Sequence, residues 1–201
     1  MQSELDSLIT SGKVRNIIFD FGGVLFEIDY HAPVRAFADL GFGSFAEIYS
    51  QAAQNPIFDE LETGRISNQN FMNFLYSLNP GVDHNKVDQA WNSILTRLIP
   101  EQVGVVQEMK RRGIRTFLLS NTNAIHVAEF EKMIDQEMGL ENFRSAFDQI
   151  YYSNVIGLKK PHEEVFLKLC EWNGLNPAET LFIDDSIQHV EGARKAGLQA
   201  W

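Results

Sequence analysis

Residues 16–25 decide the fold, with the sequence Asn16-Ile17-Ile18-Phe19-Asp20-Phe21-Gly22-Gly23-Val24-Leu25. The stretch begins as a short run of branched and aromatic residues, which is typical of a strand buried on both faces of a parallel sheet. The run stops at the carboxylate of Asp20, and two glycines follow directly. Open α/β sheets place reactive groups in this way, at the carboxyl ends of their strands. Taken alone, the stretch fits equally well a strand that merely ends at Asp20 and turns at Gly22-Gly23.

From Pro100 onward, the chain alternates predicted helices with predicted strands. Pro100 suits the first turn of a helix that Gly113 ends, and later helices are expected to about Glu137, from Pro161 to Asn173, and from Ser186 to about Ala196. The predicted strands, counting the first, cover residues 14–20, 114–119, 147–152, 180–183 and 198–201. Strands that alternate with helices indicate an α/β fold with a doubly wound parallel sheet.

Residues 31–99 differ, because they contain helix patterns in series and no convincing buried strand. One helix ends near Gly41, one begins after Ser67, and one follows Asp83 with an apolar side that continues to Leu98. We therefore predict a helical subdomain over residues 30–99 and a core formed by residues 14–29 and 100–201. Residues 1–13 are an N-terminal extension, in which residues 3–11 could form a short helix.

Composition and charge narrow the class of protein. Acidic residues outnumber basic ones by 27 to 17, so the net charge is −10 with histidine neutral. This excess argues against nucleic acid or an anionic membrane as a partner. The one cysteine, Cys170, lies in a helical apolar stripe, which predicts a buried thiol and no disulfide framework. With no signal peptide pattern in residues 1–13 and no span long enough to cross a membrane, we expect a cytoplasmic protein of undetermined oligomeric state.

Polar residues follow three of the predicted strands. Asp20 follows the first, Ser120-Asn121 the second, and Asp184-Asp185 the fourth, while Lys159 and Lys160 precede the helix predicted from Pro161. The carboxyl ends of parallel strands meet at one sheet edge, so these side chains are expected to converge. Three carboxylates favour a hard cation such as Mg²⁺, and a hydroxyl, an amide and an ammonium suit phosphate oxygens. One carboxylate could then attack phosphorus and form an aspartyl-phosphate.

Four segments carry these residues, and their sequences are FDFGGVL at 19–25, LLSNTN at 118–123, GLKKP at 157–161, and FIDDS at 182–186 with EGA at 191–193. In this order they resemble the motifs of the haloacid dehalogenase superfamily of aspartate-nucleophile hydrolases. More narrowly, residues 120–123 with 27–29 look like the glucose-1-phosphate phosphatase-like branch, to which the phosphatase domain of mammalian soluble epoxide hydrolase is related.

The resemblance implies a Rossmann-like core with a helical cap inserted after the first motif, which matches residues 30–99. Residues 62–67 are similar to a recurrent turn of such caps, where substrate contacts can lie.

The resemblance also implies a role for each matching residue. Asp20 would be the nucleophile and a metal ligand, with the carbonyl group of Gly22 and the carboxylate of Asp185 as further ligands. Asp184 would belong to the same metal site, close by or bound to the metal through water. The residues expected to hold phosphate or substrate are Gly22, Gly23, Ser120, Asn121 and Lys160. Ser120 and Lys160 would also act in catalysis, and Lys159 is the weaker of the two lysine candidates. The implied activity is Mg²⁺-dependent hydrolysis of a small phosphorylated metabolite, with sugar phosphates favoured.

The chain departs from the family pattern at Gly22, where most phosphatases of this superfamily carry a second aspartate that acts as general acid and base. A glycine offers its carbonyl group to a metal but transfers no proton, and loss of such catalysis typically costs about 100- to 10,000-fold in rate. The glucose-1-phosphate phosphatase-like branch also has glycine there. Substrates with good leaving groups would lose least, and Glu27, Asp29 and His31 are alternative proton donors.

Other functions stay open at this point. A 2-haloacid dehalogenase needs neither metal nor second aspartate, although dehalogenases replace the acidic pair at 184–185 with neutral residues. A phosphomutase normally needs the missing aspartate. A catalytically weak member would bind metal and phosphate without turnover. Receiver domains use a similar acidic cluster, but their motif order differs and they lack the cap.

Overall fold

The computed structural model describes residues 10–43, 45–49 and 56–201. The helix predicted over residues 3–11 lies mostly outside these residues. A five-stranded parallel sheet forms the centre of the chain, in the order β5-β4-β1-β6-β7. The strands of this sheet are β1 (Asn16–Phe19), β4 (Arg115–Ser120), β5 (Gln149–Tyr152), β6 (Thr180–Ile183) and β7 (Gln199–Ala200).

Helices cover both faces of the sheet, and the side chains of each strand alternate between the two faces. Ile17 of β1 packs in one core with helix residues such as Val103 and Phe130, whereas Ile18 packs in a second core with Val165. The helices of the core are α6 (Pro100–Arg111), α7 (Ala124–Met138), α8 (Leu140–Ser145), α9 (Ser153–Ile156), α10 (Glu163–Asn173) and α11 (Ile187–Lys195). This arrangement is the predicted doubly wound α/β fold.

A group of helices with its own apolar core lies between β1 and α6 in the sequence. Its buried rings include Phe37, Phe45, Phe71 and Trp91. The helices are α1 (His31–Asp39), α2 (Phe45–Ile48), α3 (Pro56–Glu62), α4 (Asn68–Leu78) and α5 (His84–Asn92). Ser67 caps α4 by accepting a hydrogen bond from the backbone N–H of Asn70, as its position before an apolar helix predicts.

The segment after α5 differs from the sequence prediction, which continued the helix to Leu98. The helix ends at Asn92, and β3 (Leu95–Leu98) pairs antiparallel with β2 (Phe26–Ile28). The spacing of Leu95 and Leu98 fits a helix, but pairing with β2 satisfies the backbone instead, and Thr96 donates its hydroxyl to the carbonyl of Glu27 at 2.5 Å. The predicted continuation of the helix through Leu98 is therefore wrong, and the chain forms β3 there, with two of its four residues exposed.

A second correction concerns α10, which begins at Glu163 and not at the predicted Pro161. Pro161 packs against α11 instead, since a Cβ built on Gly192 would lie 2.1 Å from the carbonyl oxygen of Pro161. Cys170 on α10 is buried, as predicted. None of the described helices has the length and apolar composition that crossing a membrane requires.

Candidate active site

The strand register brings the first and fourth motifs to one level at the carboxyl edge of the sheet. Phe19 of β1 lies beside Ile183 of β6 and Leu118 of β4. Asp20 and Asp184 are therefore neighbours, and the backbone N–H of Asp20 donates to the carbonyl of Ile183 at 2.9 Å. Ser120 closes β4 at the same edge and is buried.

The ammonium group of Lys160 lies between two of these carboxylates. Its Nζ is 2.5 Å from Oδ1 of Asp20 and 2.7 Å from Oδ2 of Asp184. The Lys160 side chain is 1 % exposed and that of Asp184 is fully buried. The ion triplet is thus largely shielded from water, with the Asp20 side chain 10 % exposed, and its charges therefore interact strongly.

Asn121 fixes the backbone of Lys160. Its Nδ2 donates to the Lys160 carbonyl at 2.9 Å, and its Oδ1 accepts from the Lys160 N–H at 3.0 Å. The second motif therefore positions the third. Asn121, directly after β4, holds the backbone of Lys160, whose ammonium group contacts Asp20 after β1. Phosphate binding by Asn121 stays a prediction, and its carboxamide already makes these two hydrogen bonds.

Asp185 lies against the glycine turn of the first motif. A Cβ built on Gly23 would be 2.1 Å from Oδ2 of Asp185, and Gly23 has a φ of +78°. A residue with a side chain fits neither this space nor this backbone conformation without strain. The glycine at 23 therefore creates the space that the third carboxylate fills.

His189 joins the same cluster, although the sequence analysis did not include it. Its Nδ1 lies 3.0 Å from both carboxylate oxygens of Asp184, whose Oδ1 accepts the backbone N–H of Ser186 at 2.8 Å. Among the described residues, the Asp184 carboxylate thus has three partners, which are Lys160, His189 and the backbone N–H of Ser186. His189 lies five residues after Asp184 in the first turn of α11, and that spacing could have indicated it.

The three carboxyl groups have different pKa values because their surroundings differ. Burial raises the pKa of Asp20 to about 6, with Lys160 acting against this rise and Asp184 adding to it. Burial also acts to raise the pKa of Asp184, but hydrogen bonds and charge from His189 and Lys160 outweigh it and lower the pKa. Burial and the charge of Asp184 raise the pKa of Asp185.

The donor set fits a divalent cation. Asp20, Asp184 and Asp185 carry three negative charges when ionised, against the one positive charge of the Lys160 ammonium. Ligand atoms of Asp20, Asp184 and His189 lie within 4.8 Å of one another. Buried carboxylates in excess are costly unless a cation neutralises them, and carboxylate and carbonyl oxygens are the ligands that Mg²⁺ prefers.

A cavity of about 630 Å³ lies over this cluster, and residues of α3 and α5 line it together with the strand ends. Its size is that of a small-molecule site. The predicted site residues that line it are Asp20, Gly22, Ser120, Asn121, Lys160 and Asp185. The cavity is also lined by residues that the sequence analysis did not single out as site residues, among them Tyr30, Tyr49, Trp91 and His126.

Gly22 leaves space beside the nucleophile, and an apolar side chain occupies it. A Cβ built on Gly22 would lie 2.9 Å from Cδ1 of Ile28, which lines the same cavity. The three proton donors considered from sequence do not line this cavity. Glu27 pairs with Arg97 on β3, Asp29 pairs with Arg35 at 2.6 Å, and His31 donates its backbone N–H to Asp29 at 2.8 Å.

Lys159 points away from the carboxylates. Its Nζ lies 2.8 Å from Oδ1 of Asp59 and 2.9 Å from Oε2 of Glu62, both on α3. The two adjacent lysines therefore contact different parts of the chain, Lys160 the sheet edge and Lys159 the helices above it.

Comparison with known proteins decides the family. The family model of haloacid dehalogenase-like hydrolases matches residues 14–197. The chain belongs to this family. Among curated proteins, this hydrolase is similar to a D-ribitol-5-phosphate phosphatase of Bacteroides thetaiotaomicron, with 28 % identity over 94 % of this chain and 91 % of that protein.

Two solved structures resemble the hydrolase along nearly its whole length. One is a HAD family enzyme of Bacteroides thetaiotaomicron in complex with magnesium and inorganic phosphate, with a TM-score of 0.79 at 28 % identity, covering 94 % of this chain and 93 % of that one. The other is a predicted HAD-like family hydrolase of Porphyromonas gingivalis, with a TM-score of 0.81 at 30 % identity, covering 94 % of this chain and 90 % of that one. The narrower relation to the glucose-1-phosphate phosphatase-like branch and to soluble epoxide hydrolase stays a prediction.

Proposed function

We propose that this hydrolase is a Mg²⁺-dependent phosphatase that acts on a small phosphorylated metabolite, such as a sugar phosphate, through an aspartyl-phosphate on Asp20. The observation that carries the proposal is the ion triplet of Lys160 with Asp20 and Asp184, beside the third carboxylate of Asp185. Its excess negative charge calls for a divalent cation, and a phosphate needs both that cation and the lysine. The similar phosphatase and the similar structure with magnesium and phosphate support the same activity.

Helices α1–α5 would form the cap over the core made by residues 14–29 and 100–201. Asp20, Asp185 and the Gly22 carbonyl would hold Mg²⁺, with Asp184 close by. When bound, Mg²⁺ supplies positive charge that offsets the charge of the phosphate and keeps Asp20 ionised. Lys160 would pair with phosphate oxygens, and Ser120 would donate its hydroxyl to them.

In the first step, a carboxylate oxygen of Asp20 bonds to phosphorus and the bond from phosphorus to the leaving oxygen breaks. In the second step, a water oxygen attacks the same phosphorus, inorganic phosphate leaves, and Asp20 regains its carboxylate. Gly22 cannot give the leaving oxygen a proton, and Ile28 fills the adjacent space. Leaving groups that depart without a positioned acid, such as those of anomeric and acyl phosphates, would therefore react fastest.

Two alternatives are less well supported by the site. Haloacid dehalogenation places a carboxylate substrate beside the nucleophile, and the extra charges of Asp184 and Asp185 would repel it. A member without turnover would bind metal and phosphate through the same residues, so only a rate measurement separates it from a phosphatase.

The test is phosphate release from acetyl phosphate, glucose 1-phosphate, ribitol 5-phosphate and p-nitrophenyl phosphate, in Mg²⁺ or in EDTA. We expect turnover in Mg²⁺ only, its loss in Asp20→Asn, and wild-type rates in Asp39→Asn, which changes an exposed aspartate on α1. Absence of phosphate release from all four compounds would contradict the proposal, and so would full activity in Asp20→Asn. Halide release from 2-chloropropionate would favour the dehalogenase instead.

A further inference from the structure

The segment that fills the space beside Gly22 also carries a tyrosine. Ile28 lies against Gly22, where a Cβ would be 2.9 Å from the Ile28 Cδ1, and Tyr30 follows two residues later, directly before α1. Both side chains line the same cavity as Asp20 and Asp185. Tyr30 therefore shares the space above the nucleophile, on the segment that passes the position of the missing acid.

The hydroxyl group of Tyr30 is available to a ligand. The residue is 44 % exposed, and among the described residues none makes a hydrogen bond with this hydroxyl. A phenol without a protein partner can donate its hydrogen to an oxygen atom that a substrate brings into the cavity.

Electrostatic interactions indicate that this hydroxyl is nearer to the nucleophile than that of Tyr49, which also lines the cavity. Burial raises the pKa of Tyr30 to about 12, and the charges of Asp185 and Asp20 add most to this rise. Burial also raises the pKa of Tyr49, but there the further contributions come from Glu62 and from Tyr30, not from these aspartates. Since the interaction between charges weakens with distance, Tyr30 is the tyrosine closer to the carboxylate cluster.

Other proton donors of the cavity are already engaged by protein groups. Nδ1 of His126 lies 3.0 Å from the amide nitrogen of Asn123, and its Nε2 lies 3.2 Å from the carbonyl oxygen of Trp91. Burial lowers the pKa of His126 to about 4, so its imidazole is neutral at neutral pH. Three further groups contact carboxylates, namely the side chains of Lys159, Lys160 and His189.

The acidity of Tyr30 suits a strongly basic leaving group. With a pKa of about 12, the phenol keeps its proton at neutral pH and is still a stronger acid than an aliphatic alcohol. Proton transfer from Tyr30 to a departing alkoxide is therefore favourable, whereas acetate is a weak base and departs without a proton. A phenol is a weaker acid than a carboxyl group, so it would compensate only in part for the glycine at residue 22.

Resting on the proposed phosphatase function, we propose that Tyr30 is a catalytic residue, whose hydroxyl gives its proton to the leaving oxygen in the first step. As the bond from phosphorus to that oxygen breaks, its electron pair takes the proton, the alcohol leaves, and Tyr30 becomes a phenolate. In the second step, the water that attacks phosphorus loses one proton to this phenolate. The phenol is thereby restored, and protons and charges balance over the two steps.

The test is Tyr30→Phe, which removes only the hydroxyl, assayed in Mg²⁺ with two esters of similar size that carry no hydroxyl group. These are ethyl phosphate and 2,2,2-trifluoroethyl phosphate, whose fluorinated alcohol is far more acidic and needs less help from an acid. We expect kcat/KM to fall by about 10- to 100-fold for ethyl phosphate and by less than about threefold for the fluorinated ester. Tyr76→Phe is the control, because Tyr76 donates its hydroxyl to Asp88 and does not line the cavity. It should alter neither rate.

Three results would overturn the role of Tyr30. Equal losses for the two esters would show that its hydroxyl acts in binding or packing and not in proton transfer, and unchanged rates would show that it does not act at all. A selective loss in Tyr49→Phe instead of Tyr30→Phe would assign the proton to the other tyrosine. Acetyl phosphate separates these failures from failure of the phosphatase function, since Tyr30→Phe should hydrolyse it at the wild-type rate, and only a protein that is no phosphatase would leave it intact.

Discussion

Asp185 lies directly against Gly23, so closely that a Cβ at residue 23 would be 2.1 Å from the Asp185 carboxylate. The two residues are more than 160 positions apart in the chain and belong to different motifs. Their contact gives the physical reason why residue 23 of the first motif must be a glycine. The turn has a φ of +78°, and the space beside its Cα is already filled by a candidate metal ligand.

Gly23→Ala is therefore expected to displace Asp185 and to lower phosphatase activity by at least about 100-fold, with weaker Mg²⁺ binding measured by calorimetry. The control is Gly104→Ala. Gly104 lies inside α6 with no atom within 4 Å of a Cβ, so alanine should leave activity unchanged and raise the free energy of unfolding by about 0.5–1 kcal/mol. Normal Mg²⁺ affinity in Gly23→Ala would contradict the assignment of Asp185 as a ligand.

Lys160→Met removes the ammonium that separates Asp20 from Asp184. Two buried carboxylates then lose their shared ammonium, and we expect the free energy of unfolding at pH 7 in EDTA to fall by about 3 kcal/mol. Adding Asp20→Asn to this variant removes one of the two charges and should restore part of the loss. Lys168→Met, at an exposed lysine paired with Glu171, should change stability by less than about 1 kcal/mol. Equal urea midpoints for Lys160→Met and Lys168→Met would refute the expected cost.

The sequence was sufficient to predict the sheet edge. Buried strands have near-continuous apolar runs, and each run here ends at a polar residue, so the positions of Asp20, Ser120 and Asp184 follow from where the runs stop. Parallel register then fixes their proximity. His189 was within reach of the same reasoning, since it lies in the first turn of α11, directly after the acidic pair.

The pairing of β2 with β3 and the aromatic lining of the cavity could not be predicted in this way. β2 and β3 have three and four residues, and the spacing of Leu95 and Leu98 is shared by helices and by this strand. Trp91 has the position of an ordinary core residue in α5. Its presence at the cavity depends on how α5 packs against α7, which is a tertiary relation that periodicity does not contain.

The raised pKa of Asp20 predicts a pH-dependent stability in the absence of metal. A folded-state pKa of about 6, against the ordinary 3.8, means that the stabilising contribution is present below 3.8 and is lost as the pH rises through about 6. Between pH 3.5 and 7 in EDTA, we expect the wild type to lose about 3 kcal/mol relative to Asp20→Asn, measured by urea unfolding. Saturating Mg²⁺ should move this change to lower pH, because a cation favours the carboxylate. Parallel stability curves for the two proteins in EDTA would contradict the pKa shift.

Gly22→Asp introduces a carboxyl group two residues after Asp20, where this chain has a glycine and most phosphatases of the superfamily have an aspartate. The Cβ meets only the end of the flexible Ile28 side chain, at 2.9 Å, so the variant should fold. An acid here would protonate a poor leaving group, and we expect kcat for ribitol 5-phosphate to rise about tenfold or more, with little change for acetyl phosphate. Gly22→Asn has nearly the same size but transfers no proton, and it should give no rise. A rise of equal size in Gly22→Asn would mean that displacement of Ile28, and not proton transfer, is responsible.

Lys159 links the loop before α10 to α3, and its ion pairs should hold the helices over the cavity. The Lys159 side chain is 11 % exposed, so its pairs with Asp59 and Glu62 are better shielded from water than surface pairs. We expect Lys159→Met and Asp59→Asn each to lower kcat/KM for p-nitrophenyl phosphate by about three- to tenfold, mainly through KM, and Lys132→Met at an exposed lysine to have no effect. Because both variants break one pair, the double variant should cost less than the product of the two single losses. Independent, fully multiplicative losses would show that the two residues do not act together.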